Sequence, residues 1–287
     1  MKKIEIIASE KDKVLNLVSK NISEISFAYA NKLLRQKDIR VDNKKIGDNV
    51  MVQPDSIITV FVPDDVMAKQ EIAFDIIYSD DKLLIVFKPK GIEVTGEGLN
   101  LSNLVCKKLE NKNIFALNRL DRNTEGLVLF AVGKDNYNNI KKSMNKGEIT
   151  KVYMAEVVGV PKWDELTAVN YLQKDEEKSE VKIFDKPVKN SVKIESHFMV
   201  VSRTSGGTSI LAIEIKNGKT HQIRAQLAYL GFAIVGDGKY GKNADNKKFK
   251  SKTQKLTAIR LKFAFKDASL RYLNDKDIEV KPTWLKV

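Results

Sequence analysis

The apolar positions of this chain change rhythm near residue 75. Before it, Val14, Leu15, Leu17 and Val18 fall on one side of a short amphipathic helix. After a break over residues 21–26, Phe27, Ala30, Leu33 and Leu34 repeat at helical spacing, with Ser26 as the expected N-cap. A strand at Ile39-Arg40-Val41, a turn at Asp42-Asn43 and an apolar strand at Ile57-Ile58-Thr59-Val60-Phe61-Val62 complete a small α/β module over residues 1–62. Pro63-Asp64-Asp65 opens a polar stretch that reads as a linker, residues 63–74.

Residues 75–287 are dominated by strands. Leu83-Leu84-Ile85-Val86-Phe87 is a continuous apolar run stopped by Pro89 and Gly91, and Leu101, Leu104, Val105 and Leu109 form a helical stripe. Further strands are expected at Lys151–Val158, Val181–Phe184, Ser191–Ser202, Ser209–Ile215 and Leu256–Phe265, with a polar helix from about Asp135 to Asn145. Another helix follows Gly218, with Thr220 as N-cap, Gly231 as stop and Ile223, Leu227 and Leu230 as its apolar stripe. His221, Arg224 and Ala228 lie on a neighbouring stripe, from which Arg224 reaches a cleft. Helices do not alternate regularly with strands, so the pattern predicts an α+β domain with a mixed, mainly antiparallel sheet.

Composition narrows the function classes. With 287 residues and 43% hydrophobic content the chain can build one large or two smaller cores. No apolar run nears the roughly 20 residues of a membrane span, and charges at Glu5 and Glu10 follow Met1-Lys2-Lys3, so a cytoplasmic, membrane-free monomer is expected. One cysteine, Cys106, excludes an internal disulfide and thiolate-rich zinc sites, and His197 and His221 lack partners at metal spacing. Neither a metal nor an organic cofactor is expected. The net charge of +13 points to a polyanion, although 42 lysines against 8 arginines also fit a general surface bias. Distribution discriminates better: nine basic residues and one acid lie between Lys239 and Lys262. Three of the eight arginines, Arg119, Arg122 and Arg224, sit in two segments that carry the candidate chemistry.

The first of these segments is Asn118-Arg119-Leu120-Asp121-Arg122-Asn123-Thr124-Glu125-Gly126, a charged loop between the apolar runs Ile114–Leu117 and Leu127–Ala131. The second, Asn217-Gly218-Lys219-Thr220-His221-Gln222-Ile223-Arg224, runs into a helix. An aspartate before Asn-Thr more commonly caps its own turn. Paired with the Arg224 guanidinium it would stay ionised in a cleft and serve as a nucleophile. Tyr153 by itself reads as a core strand tyrosine, and His221 as a helix-start histidine.

The two segments resemble the signatures of the RluA family of RNA pseudouridine synthases, whose catalytic loop reads His-Arg-Leu-Asp-x-x-Thr-Ser-Gly. Phe87-Lys88-Pro89-Lys90-Gly91, Lys151-Val152-Tyr153-Met154-Ala155 and Gly236-Asp237-Gly238-Lys239-Tyr240-Gly241 match further family segments in order, across most of residues 75–265. Asn118 and Glu125 depart from the family's usual His and Ser. The resemblance implies a pseudouridine synthase domain in which Asp121, Tyr153 and Arg224 are catalytic. It implies a substrate path along Arg119, Arg122, Thr124, Lys88, Lys90, Lys151, Thr220, His221 and Gln222, and isomerisation of uridine without a cofactor. Arg119 would fill the space of the flipped base. Whether Asp121 attacks sugar or base stays open.

Residues 1–62 resemble the small two-helix RNA-binding module of a ribosomal protein and of tyrosyl-tRNA synthetases, with Lys32, Arg35 and Arg40 as candidate RNA contacts. That module favours large-subunit ribosomal RNA over transfer RNA as substrate. The competing reading is an inactive paralogue that binds RNA or assists ribosome assembly, favoured by Asn118 and Glu125. A methyltransferase would need a glycine-rich cofactor turn that the sequence lacks.

Overall fold

The computed structural model describes residues 1–22, 25, 27–63, 72–96, 99–175 and 180–285. Ser26, the expected N-cap, and most of the expected linker lie outside them. The chain divides into two compact units, Met1–Ala73 with Thr95–Glu110, and Phe74–Val94 with Asn111–Val287. No described helix is long and apolar enough to cross a membrane.

The first unit holds strands β1 (Lys2–Ile7), β2 (Asp12–Lys13), β3 (Ile39–Val41), β4 (Lys44–Lys45), β5 (Met51–Val52) and β6 (Ile57–Val62), with helices α1 (Val14–Asn21), α2 (Phe27–Arg35) and α3 (Leu101–Lys108). Its main sheet has the order β1-β6-β3-β4, and β2 pairs separately with β5. Val14, Leu17 and Val18 of α1 meet Ala30, Leu33 and Leu34 of α2 over Ile39, Ile58 and Val60. The expected stripes of α1 and α2 are therefore the packed ones, except that Phe27 is 42% exposed. Asp42 and Asn43 both take positive φ, 48° and 65°, the left-handed pair that a tight hairpin turn between β3 and β4 demands. Strand β1 has no counterpart in the sequence expectations, because Lys2, Lys3 and Glu5 hide its alternation.

The second unit is built on β7 (Asp75–Ser79), β8 (Leu83–Lys88), β9 (Ile114–Ala116), β10 (Glu125–Val132), β11 (Ile149–Val158), β12 (Glu165–Asp175), β13 (Glu180–Phe184), β14 (Val192–Arg203), β15 (Thr208–Ile215), β16 (Leu256–Phe263) and β17 (Ile278–Glu279). Helices α4 (Lys134–Asn145), α5 (Gln222–Tyr229) and α6 (Asn243–Lys248) accompany them. The strands form one sheet in the order β13-β12-β14-β15-β11-β16-β10-β8-β7, with β17 on β16 and β9 on β10. Among the described residues one pair is parallel, β10 with β16, with Glu125 opposite Thr257 and Gly126 opposite Ala258. The mixed, mainly antiparallel α+β architecture is the expected one.

Strand β10 is buried along nearly its whole length, as its unbroken apolar run requires in the middle of a sheet. Gly126 allows the close approach: with φ of +120°, a Cβ there would stand 2.3 Å from the Ala258 carbonyl oxygen. Strand β12 escapes sequence reading because its rhythm is inverted. Asn170 points inward and accepts a hydrogen bond from Gln226, while Val169 is 42% exposed. Helix α5 ends as expected in a Schellman motif, with Gly231 at φ +88° and Phe232 N–H donating to the Leu227 carbonyl. Its start differs from expectation. The residue before the helix is His221, in left-handed conformation at φ 54°, and not Thr220; the Gln222 side chain reaches back to accept from Lys219 N–H.

Candidate active site

The loop between β9 and β10 is tied down along its length. Asn118 Oδ1 accepts from Leu129 N–H at 2.8 Å, and Leu117 N–H donates to the Leu129 carbonyl, so the loop leaves β9 in register with β10. At its middle the Arg122 carbonyl accepts from Gly91 N–H and from Lys88 Nζ, while Arg122 Nε donates back to Gly91. Near its end Thr124 N–H closes a turn onto the Asp121 carbonyl, and Gln254 Nε2 donates to the Thr124 hydroxyl.

Asp121 is half-buried at the top of this loop. Its Oδ2 accepts from Arg224 Nη1 at 2.6 Å, so the two segments that look unrelated in sequence do meet. The same guanidinium is gripped on its other edge by Asp237, whose Oδ2 accepts from Nε at 2.7 Å and Oδ1 from Nη2 at 3.0 Å. Asp237 is 1% exposed and also accepts from the backbone of Lys239 and Tyr240. Burial alone would push its carboxyl up, but Arg224 and those two amides outweigh burial and hold it below the ordinary range. Burial likewise works against the Arg224 charge, and the bonds to Asp237, then Asp121, more than reverse it. Sequence reading did not single out Asp237, although it stands in the quoted Gly236–Gly241 turn.

His221 and Tyr240 flank the pair. The Tyr240 hydroxyl accepts from Val181 N–H at 3.0 Å and lies 2.9 Å from His221 Nδ1. His221 Nε2 lies 3.7 Å from Asp121 Oδ2. Burial lowers the His221 pKa, Asp121 opposes this and Arg224 reinforces it, so the ring stays neutral at neutral pH. The Arg224 guanidinium also lies over the Tyr240 ring, 5.3 Å from its centre.

Asp121, His221 and Arg224 border an open cleft of about 230 Å³, lined also by Glu93, Arg119 and Gln254 among others. Arg122 and Thr220 also reach it. Arg119 is exposed there, and no hydrogen bond or ion pair holds it among the described residues. Tyr153 lies close enough to feel Asp121, whose charge adds to burial in raising its pKa, yet at 6% exposure it does not border the cleft.

Four residues expected along the substrate path are enclosed and serve the scaffold. Lys88 is fully buried and donates to the carbonyls of Pro89, Ile92 and Arg122. Burial pushes it down to about 7 against the pull of Asp121, Glu125 and Glu93. Lys151 is 5% exposed, donates to the Lys216 carbonyl and is lowered to about 8 by burial and by Lys141. Thr124 is covered by Gln254, and Gln222 donates to the Glu195 carbonyl and Ser196 hydroxyl beneath α5. Lys90 is half-buried, and burial lowers its pKa. In the first unit Lys32 and Arg35 are exposed on α2, whereas Arg40 is half-buried over the Phe61 ring, 4.8 Å from its centre.

Glu125, one of the two departures from the family pattern, is a buried carboxylate. It accepts from the Thr257 hydroxyl at 2.8 Å and from Thr283 through N–H at 2.9 Å and hydroxyl at 2.7 Å.

Residues 82–229 match the family described as RNA pseudouridylate synthase. The chain belongs to that family, isomerases that convert uridine to pseudouridine in RNA. It is 30% identical to the ribosomal large subunit pseudouridine synthase C of Buchnera aphidicola subsp. Baizongia pistaciae, over 81% of this chain and 78% of that one. The protein of that name from Vibrio cholerae is 29% identical over 79% and 76%. A mitochondrial tRNA pseudouridine(32) synthase from Saccharomyces cerevisiae is 28% identical over 74% of this chain and 46% of its own. In fold the chain resembles the human RNA pseudouridylate synthase domain containing 1, with a TM-score of 0.60 at 19% identity, over 73% of this chain and 82% of that one.

Proposed function

We propose that the protein isomerises specific uridines of large-subunit ribosomal RNA, with Asp121 as nucleophile. The observation that carries the reading is the 2.6 Å bond from Arg224 to Asp121 Oδ2 at the wall of the cleft, which leaves Oδ1 without a hydrogen bond among the described residues. A carboxyl oxygen without a hydrogen bond, on a residue that lines the cleft, is what attack on a flipped nucleotide requires. Asp121 bonds to the uridine, the C1′–N1 bond breaks, the uracil turns, C5 joins C1′, the bond to Asp121 breaks to free the carboxylate, and the C5 proton leaves while N1 takes one up. Arg119, untethered two residues before Asp121, fills the space the base vacates. Tyr153 is the third catalytic residue that the family resemblance implies, near enough to Asp121 for that charge to raise its pKa. The module of residues 1–62 adds affinity through Lys32 and Arg35.

The ribosomal substrate is supported by the names of the Buchnera and Vibrio relatives. The binding-only alternative loses its motivation, since Asn118 and Glu125 are both engaged in holding backbone and side chains around an intact pair. The test is carbodiimide mapping of total RNA incubated with the protein and with Asp121→Asn. Wild type should add pseudouridine to large-subunit ribosomal RNA, and Asp121→Asn should bind RNA and add none. Wild-type turnover by Asp121→Asn refutes the nucleophile, and modification confined to transfer RNA refutes the substrate.

A further inference from the structure

Immediately after the catalytic loop, Glu125 is surrounded by donors. The Trp284 indole, which can only donate, gives its N–H to Thr257 Oγ1 at 2.8 Å. That leaves the Thr257 proton for Glu125 Oε1, which also takes Thr283 N–H, while Oε2 takes the Thr283 hydroxyl. Every group facing the carboxylate thus offers a hydrogen, and each oxygen accepts at least one. Glu125 and Thr257 are 2% and 0% exposed, so on their side a lost partner is costly, while Thr283 is exposed and Trp284 half-buried. A serine would be too short to reach Thr283, and a glutamine would turn an NH₂ toward donors.

The arrangement sits where the loop joins β10. Glu125 and Gly126 are the two residues that pair in parallel with β16, and the preceding Thr124 is held by Gln254. Asp121 is joined to this point by one turn, Thr124 N–H to the Asp121 carbonyl. Sideways movement of Glu125 is therefore transmitted to the carboxylate that meets Arg224.

We propose that Glu125 is a positioning residue for the isomerisation, and that Thr283 and Trp284 form a strap which, through Glu125 and Thr257, fixes the height of the catalytic loop. This rests on Asp121 being the nucleophile. The strap touches no substrate and acts on chemistry alone, so it should govern turnover and leave RNA affinity unchanged.

The experiment is single-turnover pseudouridine formation on a ribosomal RNA fragment, with dissociation constants measured in parallel, for wild type, Asp121→Asn, Glu125→Gln, Thr283→Val and the double variant, at a temperature well below every melting point. Thr283→Val keeps the backbone bond and loses one hydroxyl, so it remains folded even if Glu125→Gln does not. Glu125→Gln should slow the chemical step by about tenfold or more and Thr283→Val by less, with RNA affinity unaltered, because small misplacements of a reacting group are expensive in rate. The double variant should be no slower than Glu125→Gln, as expected for residues acting through one contact. Wild-type rates in Thr283→Val and in folded Glu125→Gln overturn the strap, as does loss that appears only in affinity. Turnover retained by Asp121→Asn overturns the nucleophile instead, and the two failures are distinguishable.

Discussion

Asp237 holds Arg224 by the Nε and Nη2 edge of its guanidinium, so that Nη1 alone is left to meet Asp121. The contact is a relay of orientation: a fully buried carboxylate fixes the plane of the fork, and the fork fixes Asp121. Removing Asp237 leaves a buried cation short of its main partner. Asp237→Ala should destabilise the protein by about 3–5 kcal/mol and lower turnover. Arg224→Lys should retain some stability and little turnover, since an ammonium cannot serve two carboxylates on opposite edges. Denaturant unfolding and single-turnover rates check both, and near-normal turnover in Arg224→Lys would show that charge without fork geometry suffices.

Lys88 predicts a pH dependence of stability with a defined sign. Its pKa is about 7 in the folded protein, far below the ordinary lysine value. Between those values the unfolded chain binds more protons than the folded one, so this group makes the protein more stable as pH rises from about 7 to about 10. Other groups titrate in the same window, so the observable is a difference. The stability of wild type relative to Lys88→Met should increase with pH across it. A flat or falling difference, measured by urea unfolding from pH 6.5 to 10, would mean that Lys88 stays protonated in the fold.

At Gly126 the prediction is steric. A methyl group would collide with the Ala258 backbone at a φ that side chains rarely adopt. Gly126→Ala should destabilise by about 3 kcal/mol or more, from overpacking and backbone strain together. A loss below about 1 kcal/mol in thermal or denaturant unfolding would show that β10 and β16 can part without harm.

The exposed cations of α2 lead to an ionic-strength prediction. If Lys32 and Arg35 neutralise phosphates, Lys32→Ala and Arg35→Ala should each reduce the salt slope of RNA binding by about 0.7–0.9. Titrations from low to moderate salt measure this, and slopes equal to wild type would remove α2 from the RNA path.

Much of the catalytic domain is readable without coordinates because its key elements are local. The apolar runs on either side of Asp121 become β9 and β10, and the stripe of α5 ends at Gly231 where a left-handed residue is needed. What could not be read is who covers whom. Lys88, Lys151, Gln222 and Thr124 have the side chains of a polar surface, and each is buried by partners remote in sequence or by carbonyls that no residue type announces. Asp237 was in view as part of a turn, but its bond runs from that turn to Arg224 on α5. Strand β12 was lost because Asn170 occupies an inward position that alternation assigns to an apolar side chain.

The parallel pairing of β10 with β16 also sets an order of events during synthesis. Glu125 and its partner Thr257 are 132 residues apart, so the strand behind the Asp121 loop is made long before its neighbour exists. At ordinary translation rates the gap lasts on the order of ten seconds. Antiparallel neighbours of β10, namely β8 and β9, precede it in the chain and are already present. Chains arrested before residue 256 should accordingly protect the amides of β8 while leaving those of the loop open to exchange. Such a chain would set its Asp121 loop in place only after the first unit, which ends at Glu110, has been made.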